Sequence, residues 1–234
     1  HGSRSMVAAA AQKMLLRRVI LLGLPGRITT LKLYEWKGAP NPRRVSIYLA
    51  EKGIEVPREQ VAMLQGAHRT EQFRAKNAMR QLPTLELDDG TCISESIAIC
   101  RYFEELQPDP PLFGRDPVGK ATVEMWNRRV ELGLMMSVGN VWIHGAKFTA
   151  ALGNQLPEVA ALHRKTFAKL CAFLDRSLAD QQFLAGESYS VADISAQVWL
   201  DFGTSDFVGL QLNADHRHLA RWREQVAQRP SARA

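Results

Sequence analysis

The stretch Gln107-Pro108-Asp109-Pro110-Pro111 divides this sequence into two parts whose apolar residues follow different periods. Proline lacks the N–H that a ladder or a helix interior requires, so three prolines in five residues stop any element from running through. Before the break, short alternating runs interleave with helical spacing. After it, only helical spacing remains. The chain therefore reads as an α/β domain over residues 31–107, a linker over 108–116 and an all-helical domain over 117–234.

In the first part, Leu31-Lys32-Leu33-Tyr34-Glu35 alternates as a half-buried strand does. Gly38-Ala39-Pro40-Asn41-Pro42 interrupts it, and a helix carrying Val45, Tyr48 and Leu49 on one face runs to Gly53. Val56 to Met63 suits a second strand, and Gly66 leads into a polar helix through about Asn77. Thr84 to Leu87 and Thr91 to Ile93, joined at Asp89-Gly90, read as a hairpin because Asp-Gly supplies the positive φ such turns need. From Ser94, Ile99, Tyr102, Phe103 and Leu106 follow helical spacing. The order is β-α-β-α-β-β-α.

Beyond the linker, Val123, Trp126, Val130, Leu134, Val138 and Val141 form one long apolar stripe, and Phe167, Leu170, Cys171, Leu174 and Leu178 form another. Ser190-Val191-Ala192-Asp193 has capping-box spacing with Asp in place of Glu and opens a third helix. His216 to Gln228 makes a fourth, with Leu219, Trp222 and Val226 inward.

Charge narrows the range of partners. The net charge of the 234 residues is +6, but residues 1–30 hold five basic groups and no acid. From Leu31 onward 25 basic residues meet 24 acidic ones, so no extended phosphate-binding face and no nucleic-acid partner is expected. No apolar run approaches the roughly 18–20 residues of a membrane span. Cys92, Cys100 and Cys171 form no Cys-x-x-Cys pair, so a disulfide framework or metal site is not expected and a cytoplasmic setting fits. His1 to Ser5 reads as an expression remnant and Met6 to Thr30 as a basic N-terminal extension.

Three features of the first part carry chemistry. Leu82-Pro83 precedes a strand; a cis proline there turns the preceding backbone N–H and C=O outward, where an extended peptide pairs as an added strand. Plain strand entry is the other reading of that proline. Glu95-Ser96 opens a helix, whose free N–H groups receive a carboxylate while Glu95 accepts from an ammonium group. Simple capping by Ser94 is the alternative. The turn from Trp36 to Arg43 ends on a helix N-terminus, where a thiolate is stabilised, and Arg43 and Arg44 add positive charge.

Together, Asn41-Pro42-Arg43-Arg44-Val45, Leu82-Pro83-Thr84-Leu85, Asp89-Gly90 through Glu95-Ser96, and Ser190-Val191-Ala192-Asp193-Ile194 resemble the glutathione S-transferases. The first part is similar to their thioredoxin-like domain and the remainder to their helical domain, over about Leu31 to Pro230. Ala50-Glu51-Lys52-Gly53 resembles a bacterial and fungal branch. The resemblance implies a cytoplasmic detoxifying homodimer that takes glutathione as co-substrate and binds neither metal nor membrane. It implies that Leu82, beside Pro83, pairs with the cysteinyl backbone, that Glu95 and Ser96 hold the γ-glutamyl end, and that His68 on the second helix faces the glycyl carboxylate.

The chain departs from the family in one place. Its members activate the thiol with a Tyr, Ser or Cys near the first strand–helix turn, and none lies between Trp36 and Val45. Some fungal and bacterial members instead use a serine and a histidine on the first long helix of the second domain, acting through water. The serine position is Gly139 here, which leaves Asn140 and His144, with Asn41 and the first helix dipole as the other candidates. Trp36, Met135, Val138 and Trp142 are the expected lining of an electrophile pocket. The expected activity is conjugation of the glutathione thiolate to a small, mostly apolar electrophile. The alternatives are glutathione-dependent reduction of peroxides or disulfides, and a non-catalytic glutathione- or partner-binding scaffold.

Overall fold

The elements are built around β1 (Lys32–Glu35), which pairs in parallel with β2 (Arg58–Gln60) and antiparallel with β3 (Thr84–Glu86). β3 pairs in turn with β4 (Cys92–Ser94), giving a four-stranded sheet of order β2-β1-β3-β4. The computed structural model describes residues 31–151 and 153–234; the remnant and extension assigned to residues 1–30 lie outside the described residues. Those residues fall into two units, one of 31–45 and 49–110 and one of 46–48 and 111–234. Among them no helix is long and apolar enough to cross a membrane.

In the first unit, β1 is buried at Leu33, Tyr34 and Glu35 rather than on alternate residues. An inner strand has both faces covered, and the Glu35 carboxylate is satisfied there by Arg58 Nη1 and Gln60 Nε2, both at 2.8 Å. The second strand is shorter than the expected Val56 to Met63. Its three residues are exposed, and a 3-10 turn over Met63–Gln65 ends the extended run.

α1 (Pro40–Lys52) begins with proline in its first turn and ends on Gly53, whose φ of 64° is the left-handed conformation glycine adopts without strain. The expected polar helix from Gly66 to Asn77 is broken into a 3-10 turn over Ala67–Arg69 and α2 (Glu71–Lys76). The cause is local: Thr70 leaves the helical region, and its Oγ1 accepts from Phe73 N–H at 3.3 Å, starting a new helix. The hairpin closes through Leu87 N–H to Thr91 C=O, with Gly90 at φ 84°.

α3 (Ser96–Leu106) starts two residues later than Ser94, which belongs to β4. At its far end Lys52, its ammonium fully buried, pairs with Glu104 at 2.6 Å and donates to the carbonyls of Gln107 and Pro110. A buried lysine is tolerated because every donor has an acceptor.

In the second unit, α4 (Pro117–Arg129) and α5 (Met136–Gly145) are joined without a loop by a π-helical segment, Val130–Met135. All six residues of the first stripe are buried. α6 (Pro157–Ser177) packs close to the π segment, since a Cβ on Gly133 would sit 3.0 Å from a Leu170 methyl carbon.

α7 (Val191–Thr204) and α8 (Arg217–Ala227) complete the unit. The capping box at Ser190 and Asp193 is formed. Asp193, fully buried, also accepts from Leu184 N–H and Trp222 Nε1–H, both at 2.9 Å, and so ties the preceding loop and α8 to the start of α7.

Candidate functional site

Three chain segments of the first unit present backbone or side-chain groups without partners among the described residues. The first is the start of α1. Ala39 precedes it with no side-chain cap, and Arg43 N–H already bonds Ala39 C=O at 3.1 Å. Pro40 and Pro42 carry no N–H, so the remaining backbone donor of the turn belongs to Asn41. The Asn41 side chain is half-buried, its Oδ1 is sealed from solvent with no partner, and its Nδ2 makes no hydrogen bond among the described residues.

Tyr34 stands one element earlier, but its hydroxyl is already committed. It donates to Glu86 Oε2 at 2.6 Å, and burial raises its pKa above the ordinary 10.0. Lys76 also bonds that carboxylate, holding it below the usual 4.5.

The second segment is Leu82-Pro83, whose peptide bond is cis. The Leu82 side chain packs on the cluster of Tyr34, Val61 and Phe73 beside Ala67. The β1–β3 ladder reaches only Thr84, so the Leu82 N–H and C=O enter no hydrogen bond among the described residues.

The third is the start of α3. Glu95 occupies the cap position at φ 69° and ψ 116°, and no side chain caps the helix. Ser94, the alternative cap, is held in β4 instead. A non-glycine residue at such a φ costs about 1–3 kcal/mol, and strain of this kind concentrates at ligand sites. Here it turns an exposed carboxylate and a row of free N–H groups to the same helix end. Ser96 is buried, and its Oγ accepts from Arg44 Nη1 at 3.0 Å.

His68 sits on the 3-10 turn beside Ala67 rather than on a full helix. It is buried, and its Nδ1 has no partner among the described residues. Burial, and to a lesser degree the Arg69 charge, pushes its imidazole below the ordinary 6.5. The folded state therefore favours neutral His68. That contribution to stability is complete above pH 6.5 and is lost as pH falls from there through the lower folded value.

The remaining sequence candidates lie on other segments. Trp36 is half-buried after β1. In the second unit Met135 and Trp142 are half-buried, with Trp142 edge-on to Phe202 at 5.7 Å. The Val138 side chain is fully buried, so it fills the helical core, 3.0 Å from where a Cβ on Gly203 would lie. Asn140 Nδ2 donates to Met136 C=O at 2.8 Å, and His144 Nδ1 accepts from Leu156 N–H at 3.3 Å. Both side chains are thus engaged within their own helical unit. Cys171 is pushed up to about 12 by burial, and burial also raises Cys92 above 9.0, so neither is poised as a thiolate.

The sequence alone presents Arg44 only as added charge. Its place one turn from Tyr48 on the inward side of α1 was the available signal that it is buried. The three segments together offer a backbone edge for an extended peptide, an uncapped helix end for a carboxylate, and a carboxylate for an ammonium group.

Comparison with known proteins gives the family. Residues 38–106 match the glutathione S-transferase N-terminal domain and residues 137–230 match the C-terminal domain. Glutathione S-transferase 2 of Saccharomyces cerevisiae is 35% identical over 211 residues, covering 86% of this chain and 87% of the yeast protein. Among solved structures, a glutathione S-transferase domain-containing protein of Marinobacter aquaeolei is 40% identical with a TM-score of 0.80, covering 86% of this chain and 98% of its own. The Gtt2 structure from S. cerevisiae is 33% identical with a TM-score of 0.79, covering 86% and 98%. The chain belongs to the glutathione S-transferase family, with a thioredoxin-like first domain and a helical second domain.

Proposed function

We propose that this chain conjugates glutathione to a small apolar electrophile. The observation that carries the reading is the coincidence, within one unit, of the unpaired Leu82 backbone and the uncapped start of α3 at Glu95 and Ser96. In this reading the cysteinyl residue of glutathione pairs with Leu82, the γ-glutamyl carboxylate meets Ser96 and the α3 N-terminus, and the ammonium group meets Glu95. Trp36, half-buried after β1, supplies apolar surface for the electrophile. Val138, fully buried, packs in the core of the helical unit and offers the electrophile no surface.

The thiol loses its proton to water. The thiolate then attacks an electrophilic carbon, a C–S bond forms, and a leaving group departs or the resulting carbanion takes a proton. Asn41 is the thiol-stabilising group in this account, because its backbone N–H and side-chain amide are unengaged while Asn140 and His144 already have partners. A thiol of pKa ~8.5 is a few per cent ionised at pH 7, so complete ionisation adds at most about 30-fold. Positioning supplies the rest of the acceleration. Asn41→Ala is expected to lower kcat by about 10-fold, and Asn41→Asp by more because a second negative charge opposes the thiolate. Steady-state conjugation assays with a chlorodinitroarene check this. An unchanged kcat in both variants removes Asn41 from the mechanism.

The raised pKa values of Cys92 and Cys171 weigh against a reductase working through a protein mixed disulfide. A scaffold reading is favoured by the missing Ser, Tyr or Cys between Trp36 and Val45, and any turnover abolished by a site substitution excludes it. A homodimer belongs to the same proposal, with exposed Leu132, Met136 and Ile143 as available apolar surface.

His68 extends the site toward the glycyl carboxylate. An anion beside it favours the protonated ring, so adding glutathione is expected to raise the His68 pKa from its depressed free value. Proton NMR of the imidazole reads this directly, and an unmoved titration takes His68 out of the site.

A further inference from the structure

Arg44 is a charged side chain with almost no solvent exposure, set under the start of α3. Its Nη1 donates to Ser96 Oγ at 3.0 Å across 52 residues of sequence. A serine hydroxyl has one proton and two acceptor lone pairs. With the guanidinium occupying an acceptor position, that proton is left to be donated elsewhere. The hydroxyl is also polarised by a permanent positive charge, which strengthens it as a donor to an anion.

We infer that Arg44 is a positioning residue for the γ-glutamyl carboxylate: it fixes the Ser96 hydroxyl as a donor and adds buried positive charge behind the α3 N-terminus. The inference rests on the proposal that this helix end binds glutathione, and it names the group that makes the end selective for a carboxylate. It also gives α1 two tasks at its first turns, with Asn41 serving the thiol and Arg44, three residues on, serving the γ-glutamyl end of the same ligand. Lysine is a poor substitute, because an ammonium group lacks the planar fork that keeps one nitrogen on Ser96.

The test compares two ligands, glutathione and its analogue with the γ-glutamyl α-carboxylate converted to the carboxamide. Calorimetry gives both Kd values for the wild type, Arg44→Met, Arg44→Lys, Ser96→Ala and the Arg44→Met/Ser96→Ala double variant. The ratio of the two Kd values reports carboxylate recognition and is insensitive to general loosening, which weakens both ligands alike. A charge-assisted contact predicts a wild-type preference for glutathione of about 30-fold, falling below about 3-fold in Arg44→Met and to about 10-fold in Arg44→Lys. If Arg44 acts through Ser96, the double variant discriminates no worse than either single one.

An unchanged ratio in Arg44→Met, with binding retained, overturns the inference alone. If Arg44→Met does not fold, Arg44→Lys decides in the same way, a wild-type ratio overturning the inference and a reduced one supporting it. Absence of glutathione binding by the wild type overturns the glutathione reading itself, and this inference with it.

Discussion

Ser96→Ala is expected to weaken glutathione binding by about 10–100-fold, the usual cost of removing a hydrogen bond to a charged group. The substitution takes away one hydroxyl at the first residue of α3 and with it the acceptor of the buried Arg44 Nη1, so it also costs the fold about 1–3 kcal/mol, which thermal unfolding reads separately from binding. Glu95→Gln is expected to cost about as much by removing the charge opposite the ammonium group, while keeping a side chain of the same shape. Calorimetric titration of each variant with glutathione checks both numbers. Wild-type affinity in the two together would leave the α3 N-terminus without a ligand and undo the proposed site. Glu95→Gly is an informative companion, because glycine adopts a φ of 69° freely: it gives up the carboxylate but gains stability from released strain.

The second large effect concerns stability. Asp193→Ala is expected to destabilise the second unit by about 3–5 kcal/mol, and so to lower Tm by roughly 10 °C. The carboxylate accepts from Leu184 N–H, Trp222 Nε1–H, Ser190 N–H and Ser190 Oγ–H at 2.9–3.0 Å. Burial raises its pKa above 3.8 while those four donors pull the other way, so each bond offsets part of the cost of a carboxylate removed from water. Without it, donors on three buried residues lose their acceptor at once. Asp193→Asn is expected to fall between the two, since its amide nitrogen faces donors on one side. Thermal unfolding followed by circular dichroism separates the three proteins, and a shift of only a degree or two for Ala would show that this network is dispensable.

These two sites also show what the sequence revealed and what it did not. The Ser190–Asp193 box and the Asp89-Gly90 turn were legible because local spacing alone determines them. The element order was legible because the proline-rich break separates two hydrophobic periods. The π segment has a trace in the sequence: from Trp126 to Val138 the stripe steps by four residues three times. Each such step drifts about 40° around a straight α-helix, and a π turn absorbs the drift. β1 departs from simple alternation because Glu35, two residues from Leu33, shares that residue's covered face, and only the partners Arg58 and Gln60 on β2 show how its carboxylate is buried there.

At the candidate site, local chemistry singles out Leu82, Glu95 and Ser96, and the family resemblance gives each its part of glutathione. What remained invisible was which groups already had partners. Ser94 belongs to a strand, Asn140 is bonded within its own helix, His144 accepts from Leu156 N–H twelve residues on, and Arg44 is buried against Ser96. Such engagement depends on residues up to 52 positions away, and no local spacing encodes it.

The central claim is that this chain binds glutathione and lowers the pKa of its thiol without a Tyr, Ser or Cys. The direct measurement is the ultraviolet absorbance of the bound thiolate, titrated across pH with the wild type and with Asn41→Ala. The account predicts saturable binding, a bound-thiol pKa below the ordinary ~8.5, and a return toward that value in Asn41→Ala. Saturable binding with an unshifted pKa in both proteins would contradict thiol activation. Absence of binding would mean that the glutathione S-transferase fold persists here without its ligand.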